Sequence, residues 1–173
     1  MTGHFGNWEM LAPLTHYNNL PLHIVYRKAN NPYVDKIIGR IRKSFHELAS
    51  PKGSVGARQI IKSLQKGTHV IMLVDQKQND GIEVPFFGRP AMTAPAIATM
   101  ATKYNTNIYP VRVVRIKGNK FKAIFDAPIK IKEFTSSKED TLNLMTSINK
   151  ILEGWIRENP EQWFWVHNRW PKD

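Results

Sequence analysis

The 173 residues suffice for one domain of ordinary size, and a hydrophobic content of 42% is enough to bury a core. Lys and Arg number 25 against 14 Asp and Glu, and the formal charge of +11 points to acidic partners: nucleic acid, an anionic membrane surface, a phosphorylated lipid or an acidic carrier protein. The lack of cysteine excludes disulfides, Cys-based zinc sites and a thiol nucleophile, and no apolar run approaches the roughly 20 residues that a spanning helix requires.

In chain order, Trp8, Leu11, Ala12 and Leu14 recur at helical spacing. They predict a helix from Asn7 to about Tyr17, capped from Gly6-Asn7, with His4 in the loop just before it. Leu22 to Tyr26 reads as a buried strand with Arg27 at its C-terminal end. Asn31-Pro32 place a cap and a first-turn proline ahead of Val34, Ile37, Ile38, Ile41 and Phe45, an amphipathic helix whose apolar stripe is flanked by Arg40 and Arg42. A helix from Gly56 to Lys66 ends at Gly67, a near-continuous apolar strand runs from His69 to Val74, and Asp75-Gln76 follow it directly. The segment Lys77 to Pro90, polar and then Gly- and Pro-rich, reads as a long loop carrying Val84-Pro85-Phe86-Phe87-Gly88. Thr93 is placed to cap a small-residue helix through Tyr104, Asn107 to Ile116 and Lys120 to Phe125 form a hairpin across Gly118-Asn119, and the last long helix is Ser137 to Glu158. The alternation predicts a single α/β domain over residues 1–173, a mostly parallel sheet flanked by helices with a late antiparallel addition.

The chemistry concentrates near the start of the chain, where His4 and Glu9 bracket Phe5-Gly6-Asn7-Trp8. Five helical steps would put the two on different faces, so they meet only if His4 lies outside the helix and folds back over its first turn. A carboxylate there fixes the ring tautomer and makes the other nitrogen a stronger base, suited to taking a proton from an alcohol. The same pair also reads as a helix-flanking histidine and a first-turn carboxylate favoured by the helix dipole. Backbone N–H groups near Gly6 and Asn7 are candidate donors to a developing oxyanion. Arg27 stands where ligands sit in open α/β sheets and could grip phosphate or be a surface arginine, and Arg42 ranks below it. Asp75 could orient an arginine or cap the next turn. Phe86, Phe87 and Gly88 could line an acyl or acceptor pocket or pack in the core. Trp163, Trp165 and Trp170 with His167 and Arg169 read equally as an interfacial anchor or as packing under the sheet.

Thr2-Gly3-His4-Phe5-Gly6-Asn7-Trp8-Glu9 resembles the H-x4-D/E motif of the lysophospholipid and glycerolipid acyltransferase superfamily, and its His-Phe-Gly-Asn-Trp-Glu form is similar to the late (lauroyl/myristoyl) acyltransferases of lipid A biosynthesis. Three further blocks match that family in order: Val25-Tyr26-Arg27 with Asn31-Pro32, then Asp75-Gln76 with Val84 to Gly88 and Thr93, then Pro160-Glu161-Gln162-Trp163 through His167 and Arg169-Trp170. The resemblance implies a glycerol-3-phosphate acyltransferase-like fold. It also implies transfer of a fatty acyl chain from acyl carrier protein to a hydroxyl of a phosphorylated, acylated glucosamine disaccharide, at the cytoplasmic face of the bacterial inner membrane and without cofactor or metal. It assigns His4 as general base with Glu9, and substrate contacts to Phe5, Asn7, Arg27, Arg42, Asp75, Phe86, Phe87, Gly88 and Thr93. Acyl carrier protein, the anionic glycolipid acceptor and an anionic membrane surface are the expected partners, and nucleic acid is not among them. Members of that family carry a membrane-anchoring helix and a strand ahead of the histidine, whereas His4 here follows only Met1-Thr2-Gly3, the pattern of an N-terminally truncated member. A basic nucleic-acid-binding domain, for which no recognised motif occurs, and a lipid or thioester hydrolase using the same pair are the alternative readings. Coenzyme A stays open as the donor.

Overall fold

A computed structural model describes residues 1–26, 29–45, 48–51, 53–131, 134–165 and 167–170. Arg27, expected at the end of the first strand, lies outside them. The chain divides into two compact units, Glu9–Met72 and Met1–Trp8 with Leu73–Asp173.

The Glu9–Met72 unit is built from two βαβ crossovers. A 3-10 turn at Trp8–Met10 leads into α1 (Leu11–Tyr17), β1 (Leu22–Tyr26), α2 (Pro32–Lys43), β2 (Leu48–Pro51), α3 (Ser54–Gln65) and β3 (His69–Ile71). The three strands lie parallel in the order β2-β1-β3, with Ile24 opposite Ala49 on one side and Ile71 on the other. Asn31 caps α2 as expected, its side chain accepting from the Tyr33 N–H at 2.9 Å, and Pro32 occupies the first turn, where a missing N–H is harmless. The expected cap at Gly6-Asn7 is not formed, because α1 starts after the 3-10 turn and Met10 at its N-cap offers no side-chain acceptor. The strand expected to run on to Val74 ends at Ile71. Of the apolar stripe of α2, Val34, Ile37 and Ile41 are exposed, as is Tyr33, while Ile38 and Phe45 are half-buried and Arg42 is largely covered.

Among its described residues the other unit carries two antiparallel hairpins and two α-helices, with the first strand of the first hairpin packed on the longer helix. The residues expected to form a long loop are β4 (Lys77–Phe86) and β5 (Arg89–Thr93), joined by a two-residue turn in which Phe87 and Gly88 take φ of +52° and +74°. Thr93 is therefore the buried end of a strand, not a helix cap, and Pro95 occupies the N-cap of α4 (Ala96–Tyr104). The expected second hairpin is present as β6 (Val111–Lys117) and β7 (Lys120–Phe125), turning at Gly118. α5 (Lys138–Glu158) begins where Ser137 accepts the Asp140 N–H and buries Leu144, Met145, Ile148, Leu152, Trp155 and Ile156 at three- and four-residue spacing, partly against β4. The architecture is α/β, but its sheets are small and mixed, and parallel pairing among the named strands is confined to β1, β2 and β3. No helix of the described residues is long and apolar enough to cross a membrane.

Candidate active site

His4 sits on a segment fastened at both ends. Thr2 bridges Leu73 in parallel, and its carbonyl accepts the Val74 N–H at 3.1 Å. Phe5 bridges Trp163, the His4 carbonyl accepts the Phe164 N–H at 2.7 Å, and the Gly6 N–H donates to the Gln162 carbonyl at 2.7 Å. Gly6 has φ of +56°, and a Cβ there would stand 1.8 Å from the Val113 carbonyl oxygen, so only glycine lets the chain pass this close to β6. Its N–H, a candidate oxyanion donor from the sequence, is already committed to Gln162.

The carboxylate on the His4 ring is Asp75, 71 positions further along the chain, at 2.8 Å from Nδ1. The other Asp75 oxygen accepts the backbone N–H of His4 at 2.7 Å and the indole N–H of Trp163 at 3.0 Å. One carboxylate thus grips both the backbone and the ring of the same residue. Bonding to Asp75 requires the proton on Nδ1 and leaves the Nε2 lone pair free, toward which the Gln76 side-chain amide donates at 3.2 Å. The ring is 16% exposed against 2% for Asp75, and Trp8 meets it edge-on with centroids 4.7 Å apart. Burial pushes the Asp75 carboxyl upward, but the hydrogen bond and charge of His4, its backbone N–H and the Trp163 indole together outweigh burial and hold the group below its usual value.

Glu9 makes a different pair. Its carboxylate accepts from Arg42 Nη2 at 2.7 Å, and the Arg42 guanidinium lies over the Tyr26 ring at 5.4 Å. The sequence reading paired Glu9 with His4; within its own unit Glu9 is held by Arg42, and within its own unit the His4 ring is held by Asp75. Arg42 Nε is buried with no partner among the described residues.

The remaining expected site residues divide between core and turn. Phe5, Phe86 and Thr93 are buried, Asn7 and Phe87 are half-buried, and Gly88 is exposed at the β4–β5 turn. Phe86 stacks on Trp170, and its carbonyl accepts the Trp170 indole N–H at 3.0 Å. Thr93 accepts from Arg169, which is fully buried, donates also to the Met92 carbonyl and lies over Phe86. Burial lowers the Arg169 guanidinium to about 10, with the Asp75 charge working the other way. The C-terminal aromatics therefore split: Trp163 and Trp170 pack and donate inward, while Phe164 and Trp165 are exposed. Trp163 as a partner of Asp75 escaped the sequence reading, although the block containing it was singled out.

A family model described as bacterial lipid A biosynthesis acyltransferase matches residues 1–172. No curated protein matches the chain. The ordered blocks around His4, Asp75 and Trp163 lie inside the matched span, and the chain belongs to the bacterial lipid A biosynthesis acyltransferase family.

Proposed function

We propose that the chain transfers a fatty acyl group from the thioester of acyl carrier protein to a hydroxyl of a phosphorylated, acylated glucosamine disaccharide at the cytoplasmic face of the inner membrane. The observation that carries this reading is the double grip of Asp75 on His4, which fixes the ring with Nε2 as the basic nitrogen. Nε2 takes the proton of the acceptor hydroxyl as that oxygen attacks the thioester carbonyl carbon, with the Gln76 amide giving way to the incoming group. The tetrahedral intermediate collapses, the C–S bond breaks, and the imidazolium returns its proton to the departing sulfur. Asp75 stays ionised throughout and stabilises the imidazolium. No covalent intermediate on the protein and no cofactor enter this scheme.

Arg42, braced by Glu9 and Tyr26, contacts an acceptor phosphate in this scheme. In this scheme Glu9 is a positioning residue acting through Arg42. The net charge of +11 favours both the acidic carrier protein and the anionic acceptor.

The test is transfer from acyl carrier protein to the phosphorylated disaccharide lipid in detergent micelles, read by mass of the esterified product. His4→Ala is expected to lower turnover at least about a hundredfold, the ordinary range for a positioned base. Release of free fatty acid without ester product would replace transfer by hydrolysis. Tight single-stranded nucleic-acid binding, with no product, would overturn the enzyme reading.

A further inference from the structure

We propose that the outward face of α2 docks the protein on an anionic lipid bilayer. The inference rests on the acceptor being a membrane lipid, as proposed above, and adds the surface by which the chain would reach it.

α2 turns part of its apolar stripe outward. Tyr33, Val34, Ile37 and Ile41 are 78%, 43%, 58% and 57% exposed. Two polar side chains on its inner side bond within the same unit: Asp35 accepts the Ala29 N–H at 2.9 Å and Arg42 holds Glu9 at 2.7 Å. Tyr33, Ile37 and Ile41 are four apart and form a continuous ridge roughly 12 Å long. Water gains nothing from such a ridge, and an apolar medium outside would match it.

Charge identifies that medium. Lys36 and Arg40 each precede a ridge isoleucine by one residue, which sets them on one flank, and both are exposed without an ion-pair partner among the described residues. Asp35, the helix's sole acid, faces the preceding loop, against Lys36, Arg40, Arg42 and Lys43 in the helix sequence. An amphipathic helix lying flat in a bilayer surface puts its apolar ridge at the acyl boundary and its cations at the phosphates. An acidic protein surface would match the cations but leave the isoleucine ridge without an apolar counterpart. A second copy of the chain would cover the ridge but oppose like charges across it.

The test uses flotation of the whole chain with vesicles of phosphatidylglycerol and phosphatidylethanolamine, and with vesicles of phosphatidylcholine. Ile37→Glu with Ile41→Glu should lower partition onto the anionic vesicles at least about tenfold. Lys36→Gln with Arg40→Gln should lower it roughly thirtyfold at low salt and flatten its salt dependence, two surface charges at about 1 kcal/mol each. The second pair decides the matter should the glutamate pair fail to fold. Both pairs should keep transfer in detergent micelles within about twofold. Because partition is measured without turnover, failure of the transfer assay in the unmodified chain would strike the proposed activity and leave the docking result standing. Unchanged partition in both pairs, a loss seen only with Trp165→Ala, or a change in self-association without a change in partition would overturn the proposal.

Discussion

Among the described residues, His4 and His23 each have both ring nitrogens hydrogen-bonded, and their partners differ in kind. His4 bonds a buried carboxylate through Nδ1 and keeps Nε2 against a displaceable amide at the partly open edge of its unit. His23 is 2% exposed in the middle strand of the parallel sheet, with Ser63 Oγ and Ser50 Oγ each 2.6 Å from its nitrogens. A carboxylate stabilises the charged ring that the proposed proton transfer would form, whereas two hydroxyls in a sealed site favour the neutral ring. In the proposed scheme the same side chain is thus a proton acceptor in one place and a strut in the other, by its partners and its access to solvent.

The sharpest way to break the contrast is Asp75→Asn. An amide turns an N–H or a neutral oxygen toward Nδ1, no longer enforces the tautomer and no longer balances the imidazolium, so kcat should fall about a thousandfold with KM little changed. Steady-state kinetics in micelles checks this, and a loss below threefold would remove Asp75 from the mechanism.

The assignment of Glu9 to Arg42 is sharpened by a double-mutant cycle. Glu9→Gln and Arg42→Gln should each lower kcat/KM on the phosphorylated acceptor by roughly a hundredfold, and the double variant should be scarcely worse than the poorer single one. Additive losses would mean that Glu9 acts elsewhere.

Trp163→Phe probes the grip on Asp75 more gently. It keeps the ring's bulk and removes one N–H donated at 3.0 Å to the carboxylate, an interaction worth about 1.5 kcal/mol, so kcat should drop roughly tenfold. An equivalent rise in KM instead would show that Trp163 serves binding, not the placement of His4.

What was legible in the sequence was local. Ser137 ahead of α5, Asn31-Pro32 ahead of α2 and Gly118 between β6 and β7 each act within four residues, and the elements they punctuate are present, although β6 starts at Val111 and not at Asn107. The β4–β5 hairpin was missed because Pro85 and Pro90 face each other in a two-stranded ladder, where an edge tolerates proline, and because the turn puts Phe87 in a left-handed conformation that no sequence rule assigns to phenylalanine. The Asp75–His4 contact joins positions 71 apart, so no window along the chain contains it. For α2 the period was legible and the direction was not: apolar spacing defines a face, and only packing decides what it faces.

The smallest expected effect concerns stability, and it tests the other histidine. The Ser50 hydroxyl donates to Gln59 Oε1, so its oxygen is left to accept the proton on His23 Nε2, and Nδ1 accepts from Ser63. This chain of donors is complete with a neutral ring and has no carboxylate to meet a charged one. Burial accordingly lowers the His23 pKa from its ordinary 6.5. Between that folded value and 6.5 the unfolded chain binds the proton and the folded chain does not, so unfolding free energy rises with pH across that window. The contribution is fully present above about pH 7 and is lost as pH falls below 6.5 toward and through the folded value. Urea midpoints from pH 5 to 8 should show this slope. His23→Phe should flatten it while lowering stability at pH 8 by about 1–3 kcal/mol, because Ser50 and Ser63 lose their ring partner inside the sheet. Micellar turnover per folded molecule should be unchanged in that variant. A slope that persists without the ring would place the titrating group elsewhere, and a fall in turnover matching that of Asp75→Asn would erase the distinction between the base and the strut.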